Sequence, residues 1–328
     1  MNYLLTIIYF ILPFLIVYIL TPWLIRYLRK IKLVVKDQNK KDKPLVPLSG
    51  GVAVLAGICA GLMLYIFIRT FFYNDQTPAL DIFAATTSII LITFIGFIDD
   101  LLIKRNKDHS TGLKQWQKPL LTLAAAVPLM VIGTGTPVMA IPLIGKVNFG
   151  LIFPLVLVPL GVIGAANMVN MLAGFNGLET GLGIIYTATL GIYAYMNNRY
   201  EAAVICLVAF ASLMAFYKFN KFPAKILPGD SLTYLLGAVI ICAAIIGNIE
   251  KAAIIVSIPF FIEFILKSRS KFKADSFGKY KDGKIVSKYG KIYSITHLFT
   301  RTGRYNEKQV TYFIFAIEMV FCILVWFV

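Results

Sequence analysis

The feature that most constrains this chain is the recurrence of apolar runs close to twenty residues long, the first being YLLTIIYFILPFLIVYILTPWLI, residues 3 to 25. A bilayer core needs roughly 20 apolar residues per helical crossing, with every backbone polar group satisfied inside the helix. Composition agrees: 59% of the 328 residues are hydrophobic, only 15% are charged and mean hydropathy is +0.78, too apolar for the surface of a soluble protein. The expectation is an all-α, multi-pass integral membrane protein forming one polytopic domain over residues 1–328. Hydropathy divides it into ten spans, near residues 3–25, 48–72, 82–100, 119–132, 151–169, 178–196, 202–219, 231–247, 252–266 and 309–328. The first lacks a leading basic segment and a small-residue cleavage site, so a retained helix is expected rather than a signal peptide.

Basic residues in short loops mark the cytoplasmic side of a membrane protein. Of 32 Lys and Arg, 28 fall in the loops after spans one, three, seven and nine, and only Arg69, Lys146, Arg199 and Lys251 fall on the other side. Both termini are therefore expected outside the cytoplasm, and the net charge of +16 belongs to one face, suited to anionic lipid and anionic substrates. Nucleic acid is a poor partner, because the basic residues lie between spans and not on a soluble domain. Cys59, Cys206, Cys242 and Cys322 fall within spans without a CxxC pair and read as small buried hydrophobes. Two histidines, His109 and His297, cannot make a histidine-rich metal site. No internal repeat or low-complexity segment is found. The one large loop, residues 267–308 between spans nine and ten, holds KYKDGKIVSKYGKIYSI, in which Asp282-Gly283 predicts a type I′ β-hairpin.

Polar residues cluster at the cytoplasmic ends of spans three, five and eight, a depth at which carboxylates usually mark a substrate or ion path. GFIDD, residues 96–100, puts Asp99 and Asp100 about 100° apart on a helix, which predicts divided roles; a solvated boundary pair is the alternative. In NMVNMLAGFNGLE, residues 167–179, Asn167 and Asn170 share a helical face, and Gly174 and Gly177 around Asn176 predict a break in the helix. Interhelical hydrogen bonding is the competing reading of these asparagines. In PGDSLTYLLG, residues 228–237, a Pro-Gly turn delivers Asp230 to a helix start, either as a plain N-cap for Ser231 to Thr233 or as an oxygen ligand for a divalent cation with Asn170. Lys118 in GLKQWQKP could pair with the aspartates or a phosphate, or snorkel to head groups. Arg269, Lys271 and Lys273 in KSRSKFK, and Arg301 and Arg304 in RTGR, either serve an anion or simply satisfy the charge bias.

PLSGG (47–51), GFIDD, GLKQWQK, NMVNMLAGFNGLE and PGDSLTYLLG, in this order and spacing, resemble the polyprenyl-phosphate N-acetylhexosamine-1-phosphate transferases. Within that family LAGFNGLE is similar to the archaeal and eukaryotic dolichyl-phosphate N-acetylglucosaminephosphotransferase branch. The bacterial phospho-MurNAc-pentapeptide branch has aspartates where this chain has Ala173 and Asn176, and a histidine triplet in its last cytoplasmic loop, which this chain lacks. The resemblance implies ten spans, a frequent homodimer, and transfer of N-acetylhexosamine-1-phosphate from a UDP-sugar to a polyprenyl or dolichyl phosphate, with UMP released. Such a step opens glycan assembly, as in N-glycosylation, and in a prokaryote it occurs in the cell membrane with its site facing the cytoplasm. It also implies Mg²⁺, or Mn²⁺ in its place, on Asn170 and Asp230, with Asn176 toward uracil and Lys118 beside Asp99 and Asp100 at the reacting phosphates.

Finer roles follow from phosphoryl-transfer chemistry, which is dominated by positioning and charge stabilisation. Asp99 is expected to meet the lipid phosphate and Asp100 to organise Lys118. Asn167 is expected in the polar network and Glu179 as a substrate-side residue or a brace for the broken helix. Arg269 and Lys271, placed like the arginine-rich segment of the eukaryotic branch, are expected on the diphosphate. The competing classes are a membrane transporter, disfavoured by the lack of repeats and of a midplane site, and a CDP-alcohol phosphatidyltransferase, whose dense run of aspartates is absent.

Overall fold

The computed structural model describes residues 3–103, 112–114, 116–133, 137–141 and 144–327. His109 and the basic residues Lys104, Arg105 and Lys107 lie outside the described residues. The elements in chain order are α1 (Tyr3–Lys30), β1 (Val34–Lys36), β2 (Leu45–Pro47), α2 (Gly51–Tyr73), α3 (Ala79–Leu102), α4 (Gln117–Ala124) and α5 (Val127–Gly133). They continue with β3 (Val138–Ile141), β4 (Gly145–Asn148), a π-helical turn (Phe153–Leu157) leading into α6 (Val158–Met171), α7 (Leu178–Met196), α8 (Tyr200–Asn220) and α9 (Gly229–Gly247). The last are α10 (Glu250–Val256), α11 (Ile258–Ser268), β5 (Lys279–Lys281), β6 (Lys284–Val286), α12 (Thr296–Thr300) and α13 (Glu307–Leu324).

Seven helical segments among the described residues are long and apolar enough to cross a membrane: those of α1, α2, α3, α6, α8, α9 and α13. The three other expected spans differ for visible reasons. Span four is two short helices, α4 and α5, parted at Ala125–Ala126 just before Pro128. Span nine is parted at Ser257, with Pro259 in the first turn of α11, where a missing N–H is tolerated. Helix α7 has 19 residues, but Glu179, its threonines and its glycines dilute its hydropathy.

Helix α9 is the axis of the bundle. It is apolar all round and nearly all of its residues are buried, as expected of a helix surrounded by others. Its neighbours approach at glycines: a methyl group on Gly51 of α2 or Gly96 of α3 would collide with the α9 backbone at its first turn, and one on Gly237 with the α6 backbone at Ala165. Small residues permit the close backbone approach that membrane helices use to pack. The outer helices turn large apolar side chains outward, including Ile19, Phe71, Phe72, Leu151 and Phe327.

The starts of α2, α9 and α13 and the ends of α1, α3, α6 and α8 gather at one end of the bundle. Both termini run to the opposite end, where Trp326 packs against Tyr193 and Tyr9 against Tyr65. Among the described residues, three two-stranded antiparallel pairings decorate the ends. In β5–β6, Lys281 pairs with Lys284 across Asp282 (φ 47°) and Gly283 (φ 80°), the two positive φ values that the expected type I′ turn requires. The pairings β1–β2 and β3–β4 carry weak sequence signals and are not foreseen.

Candidate active site

Asp99 and Asp100 close the last turn of α3 and diverge as their helical spacing demands. Asp100 is fully buried; it accepts from Ser49 Oγ at 2.7 Å, from the Asp230 amide at 2.7 Å and from the Ser231 amide at 3.2 Å. It thus caps α9 from another helix. This corrects the plain N-cap reading of Asp230, because the α9 N-cap position is Pro228 and the side-chain acceptor comes from α3. It also corrects the expectation that Asp100 organises Lys118, since all three of its partners lie elsewhere. Gly229 makes the arrangement possible: its φ is 72° and a Cβ there would strike the Asp100 carboxylate.

Capped in this way, α9 presents Asp230 sideways. Its Oδ2 accepts from Lys118 Nζ at 2.9 Å and from Asn170 Nδ2 at 3.0 Å. Asp99 faces it, accepting from Lys118 Nζ and from the Leu113 amide, so one ammonium bridges carboxylates from α3 and α9. The ammonium is thereby compensated from two sides, and it separates two carboxylates that would otherwise repel each other. Asn170 Oδ1 accepts from Thr233 Oγ1 at 3.0 Å, and Asn167 Oδ1 from the Tyr234 hydroxyl at 3.4 Å. The two asparagines share one face of α6, against α9.

After Met171 the chain breaks as expected, with Gly174 at φ 107° and Gly177 at φ 78°. Gly174 is held from both sides: its amide donates to Glu179 Oε1 at 2.7 Å and its carbonyl accepts from Asn39 Nδ2 at 2.7 Å. Glu179 is therefore a brace for the break, and it does not line the adjoining cavity. Asn176 is buried and saturated. Its Nδ2 donates to Asp37 at 3.1 Å, and its Oδ1 accepts from Lys40 at 3.1 Å and from the Ala224 amide at 2.9 Å. Its own amide donates to Glu307 Oε1 at 2.8 Å, and Lys40 pairs with Glu307. The expectation that Asn176 points at uracil is thereby corrected, since its side-chain amide and its backbone N–H are turned into the protein.

A cavity of about 1030 Å³ opens beside these groups. Asp99, Lys118, Asn167, Asn170 and Asp230 line one wall, and the Ala173–Gly174 backbone another. Ile103, Trp116, Ile163 and Phe264 give it an apolar side, and Lys36 and Lys273 bring further positive charge. Arg269 and Lys271 are exposed and lie outside this lining; Arg269 donates instead to the Ile292 carbonyl at 3.4 Å. The chain reverses at Lys271 and Phe272, both with positive φ, and Lys267 clamps the turn by donating to the Ala274 carbonyl at 2.6 Å, so Lys273 faces the cavity where Arg269 and Lys271 were expected. His297, buried in the same loop, donates from Nε2 to the Asp275 carbonyl at 2.9 Å, and burial holds its pKa below the ordinary value.

Residues missed from sequence are Ser49, Asp37, Asn39, Lys40, Glu307 and Thr233. Ser49 lay in the PLSGG motif without a role; its φ of 81° was the strain that could not be read. Asp37, Asn39 and Lys40 were submerged in a loop counted only for charge. As for a metal, no group of three His, Cys, Asp or Glu side chains converges among the described residues. The donors at hand are the Asp230 carboxylate and the Asn170 amide, with the Asp99 carboxylate on the same wall, all hard oxygen once the amide turns its oxygen inward. That set fits Mg²⁺, which usually takes one or two carboxylates and completes its shell with phosphates and water.

The glycosyl transferase family 4 profile matches residues 82–248, from α3 through α9, and so covers Asp99, Asp100, Lys118, Asn167, Asn170, Asn176, Glu179 and Asp230. A Saccharolobus solfataricus protein named as a UDP-N-acetylglucosamine–dolichyl-phosphate N-acetylglucosaminephosphotransferase is 36% identical over 92% of this chain and 89% of its own length. A Sulfolobus acidocaldarius protein of the same name is 32% identical over 88% of this chain and 85% of its own length. A phospho-N-acetylmuramoyl-pentapeptide-transferase of Clostridium perfringens is 30% identical over 80% of this chain and 81% of its own length. With half the chain matched by the profile and relatives aligned over nearly its whole length, this membrane protein belongs to glycosyl transferase family 4.

Proposed function

We propose that the protein transfers N-acetylglucosamine-1-phosphate from UDP-N-acetylglucosamine to a polyprenyl or dolichyl phosphate. The observation that carries this reading is the Lys118 ammonium held between Asp99 and Asp230, at the wall of a cavity polar on one side and apolar on the other. In the reaction, a lipid-phosphate oxygen forms a bond to the sugar-bearing phosphorus of the UDP-sugar. The bond from that phosphorus to the bridging oxygen breaks, and UMP leaves with the electron pair. Both reactants are anions, so the obstacle is their mutual repulsion.

Lys118 supplies a fixed positive charge at the diphosphate, and Asp99 and Asp230 hold it in place before substrate arrives. Asp99 also orders the backbone at Leu113, beside which the lipid phosphate would sit. Asn170 and Asp230 would hold Mg²⁺ or Mn²⁺, which when bound neutralises the diphosphate charge that a single lysine leaves uncovered. Lys36 and Lys273 extend the positive surface toward the nucleotide, and Ile103, Trp116 and Phe264 give the lipid tail an apolar route.

The names of the two archaeal relatives support N-acetylglucosamine as the sugar, and Ala173 in place of an aspartate argues against a muramyl-pentapeptide donor. The positive-inside bias puts the site on the cytoplasmic face and both termini outside, across ten crossings if α4–α5, α7 and α10–α11 each count as one. The test is purified protein in detergent with Mg²⁺, polyprenyl phosphate and a panel of UDP-sugars. UMP release is expected with UDP-N-acetylglucosamine and a marked drop on chelation; no UMP with any donor, but solute flux across liposomes, would overturn the enzyme in favour of a transporter.

A further inference from the structure

A second cavity, of about 470 Å³, lies at the other end of the bundle, between the start of α1, the end of α2 and the start of α8. Gly51, at the catalytic end of α2, is 18 residues from Arg69, so the cavities are about 27 Å apart along that helix. Its walls carry Tyr9, Tyr65, Tyr73, Tyr200, Arg69 and Glu201. Tyr9 and Tyr65 are buried, at 1% and 4% exposure, and their rings meet edge to face at 5.5 Å. Yet among the described residues neither hydroxyl has a hydrogen-bond partner, nor does the Glu201 carboxylate. Arg69 pairs with Asp75 and lies over the Tyr73 ring at 5.7 Å, while its Nε is buried without a partner. Both phenols open onto the cavity, where a bound polar group can reach them while the rings stay packed in the bundle. Phenols, a carboxylate and a guanidinium with an unpartnered Nε, gathered around one cavity on apolar helices, describe a site built for a polar ligand.

Charge decides which. An anion would face Glu201 and an Arg69 already committed to Asp75, and a cation would face the guanidinium. A neutral, hydroxyl-rich group suits all of them: its hydroxyls donate to Glu201 and accept from Arg69 and the phenols, and its C–H faces lie on the rings. We propose that this cavity binds a polyol head group, of the sugar class, carried by a membrane lipid in the leaflet opposite the catalytic site. The volume falls in the ordinary range for small-molecule pockets.

Native mass spectrometry of the full chain in detergent tests this, with a glucosyl diacylglycerol, phosphatidylcholine and phosphatidylglycerol supplied separately. The glycolipid is expected to be retained one to one in preference to both phospholipids. Tyr65→Phe and Glu201→Gln, which keep ring and shape, should each weaken retention about tenfold or more. Transferase turnover should be unchanged in both, which shows that they fold. Displacement by methyl glucoside would show that the sugar alone is recognised, and resistance to it would show that the lipid chain contributes; both outcomes support the polyol site. Equal retention of phosphatidylcholine, preference for phosphatidylglycerol, or undiminished glycolipid binding in both variants would overturn it.

Discussion

Two clusters of lysine, carboxylate and asparagine sit at the same end of this bundle and are built from the same residue types. In one, Lys118, Asp99, Asp230 and Asn170 face a cavity; in the other, Lys40, Asp37, Glu307 and Asn176 close on one another around the loop after α6. The open cluster leaves two carboxylates sharing one ammonium, an arrangement with charge left over for a ligand. The closed cluster satisfies the Asn176 amide oxygen and nitrogen internally and ties three distant segments, residues 37–40, 174–176 and 307, into one corner. Residue type alone therefore does not mark function; what marks it is whether the polar atoms are spent on the protein or remain available to a guest.

Mutation should separate the clusters cleanly. Asp230→Asn has the largest expected effect, a loss of about 10³-fold in turnover, comparable with deleting a principal electrostatic contact. Near-normal turnover in that variant would remove the metal assignment. In the closed cluster, Glu307→Gln removes one of the two carboxylates on Lys40, leaving Asp37 at 3.2 Å, and is expected to cost about 2 kcal/mol of stability. Its thermal midpoint in detergent should fall, whereas turnover per folded molecule, measured below that midpoint, should change little. A turnover defect with unaltered stability would mean that the closed cluster touches substrate after all.

Smaller effects probe the link between them. Ser49→Ala removes one donor from buried Asp100 and is expected to destabilise by about 1 kcal/mol, read as a modest shift in the same midpoint. Arg269→Ala and Lys271→Ala, being exposed, should alter turnover by no more than about twofold. A defect tenfold or larger in either would restore them to the diphosphate.

The open cluster was legible because hydropathy throws its residues into relief: Asp99, Asp230 and the asparagines are conspicuous in apolar surroundings. The break at Gly174 and Gly177 and the Asp282-Gly283 turn were legible because positive φ has a residue signature. Partnership across the fold was not. A cap supplied by Asp100 to a helix that begins more than a hundred residues later has no local pattern, and so the role passed wrongly to Asp230. Asp37 and Lys40 looked like any loop charges, because pairing with Glu307 depends on how α13 docks. The interruptions in spans four and nine turn on Pro128 and Pro259, which a helix end tolerates as readily as a helix interior resists them.

The cap that Asp100 places on α9 also orders events in time. Its two amide partners lie 130 and 131 positions further along the chain. During synthesis, α3 must therefore enter the membrane with a carboxylate that has only Ser49 to accept from, and wait while α4 through α8 are made. Only when α9 arrives do Asp100 and Lys118 acquire their remaining partners together. The cap on α9 and the ion pair at the cavity wall thus form in one step, with α10 through α13 still to close around them.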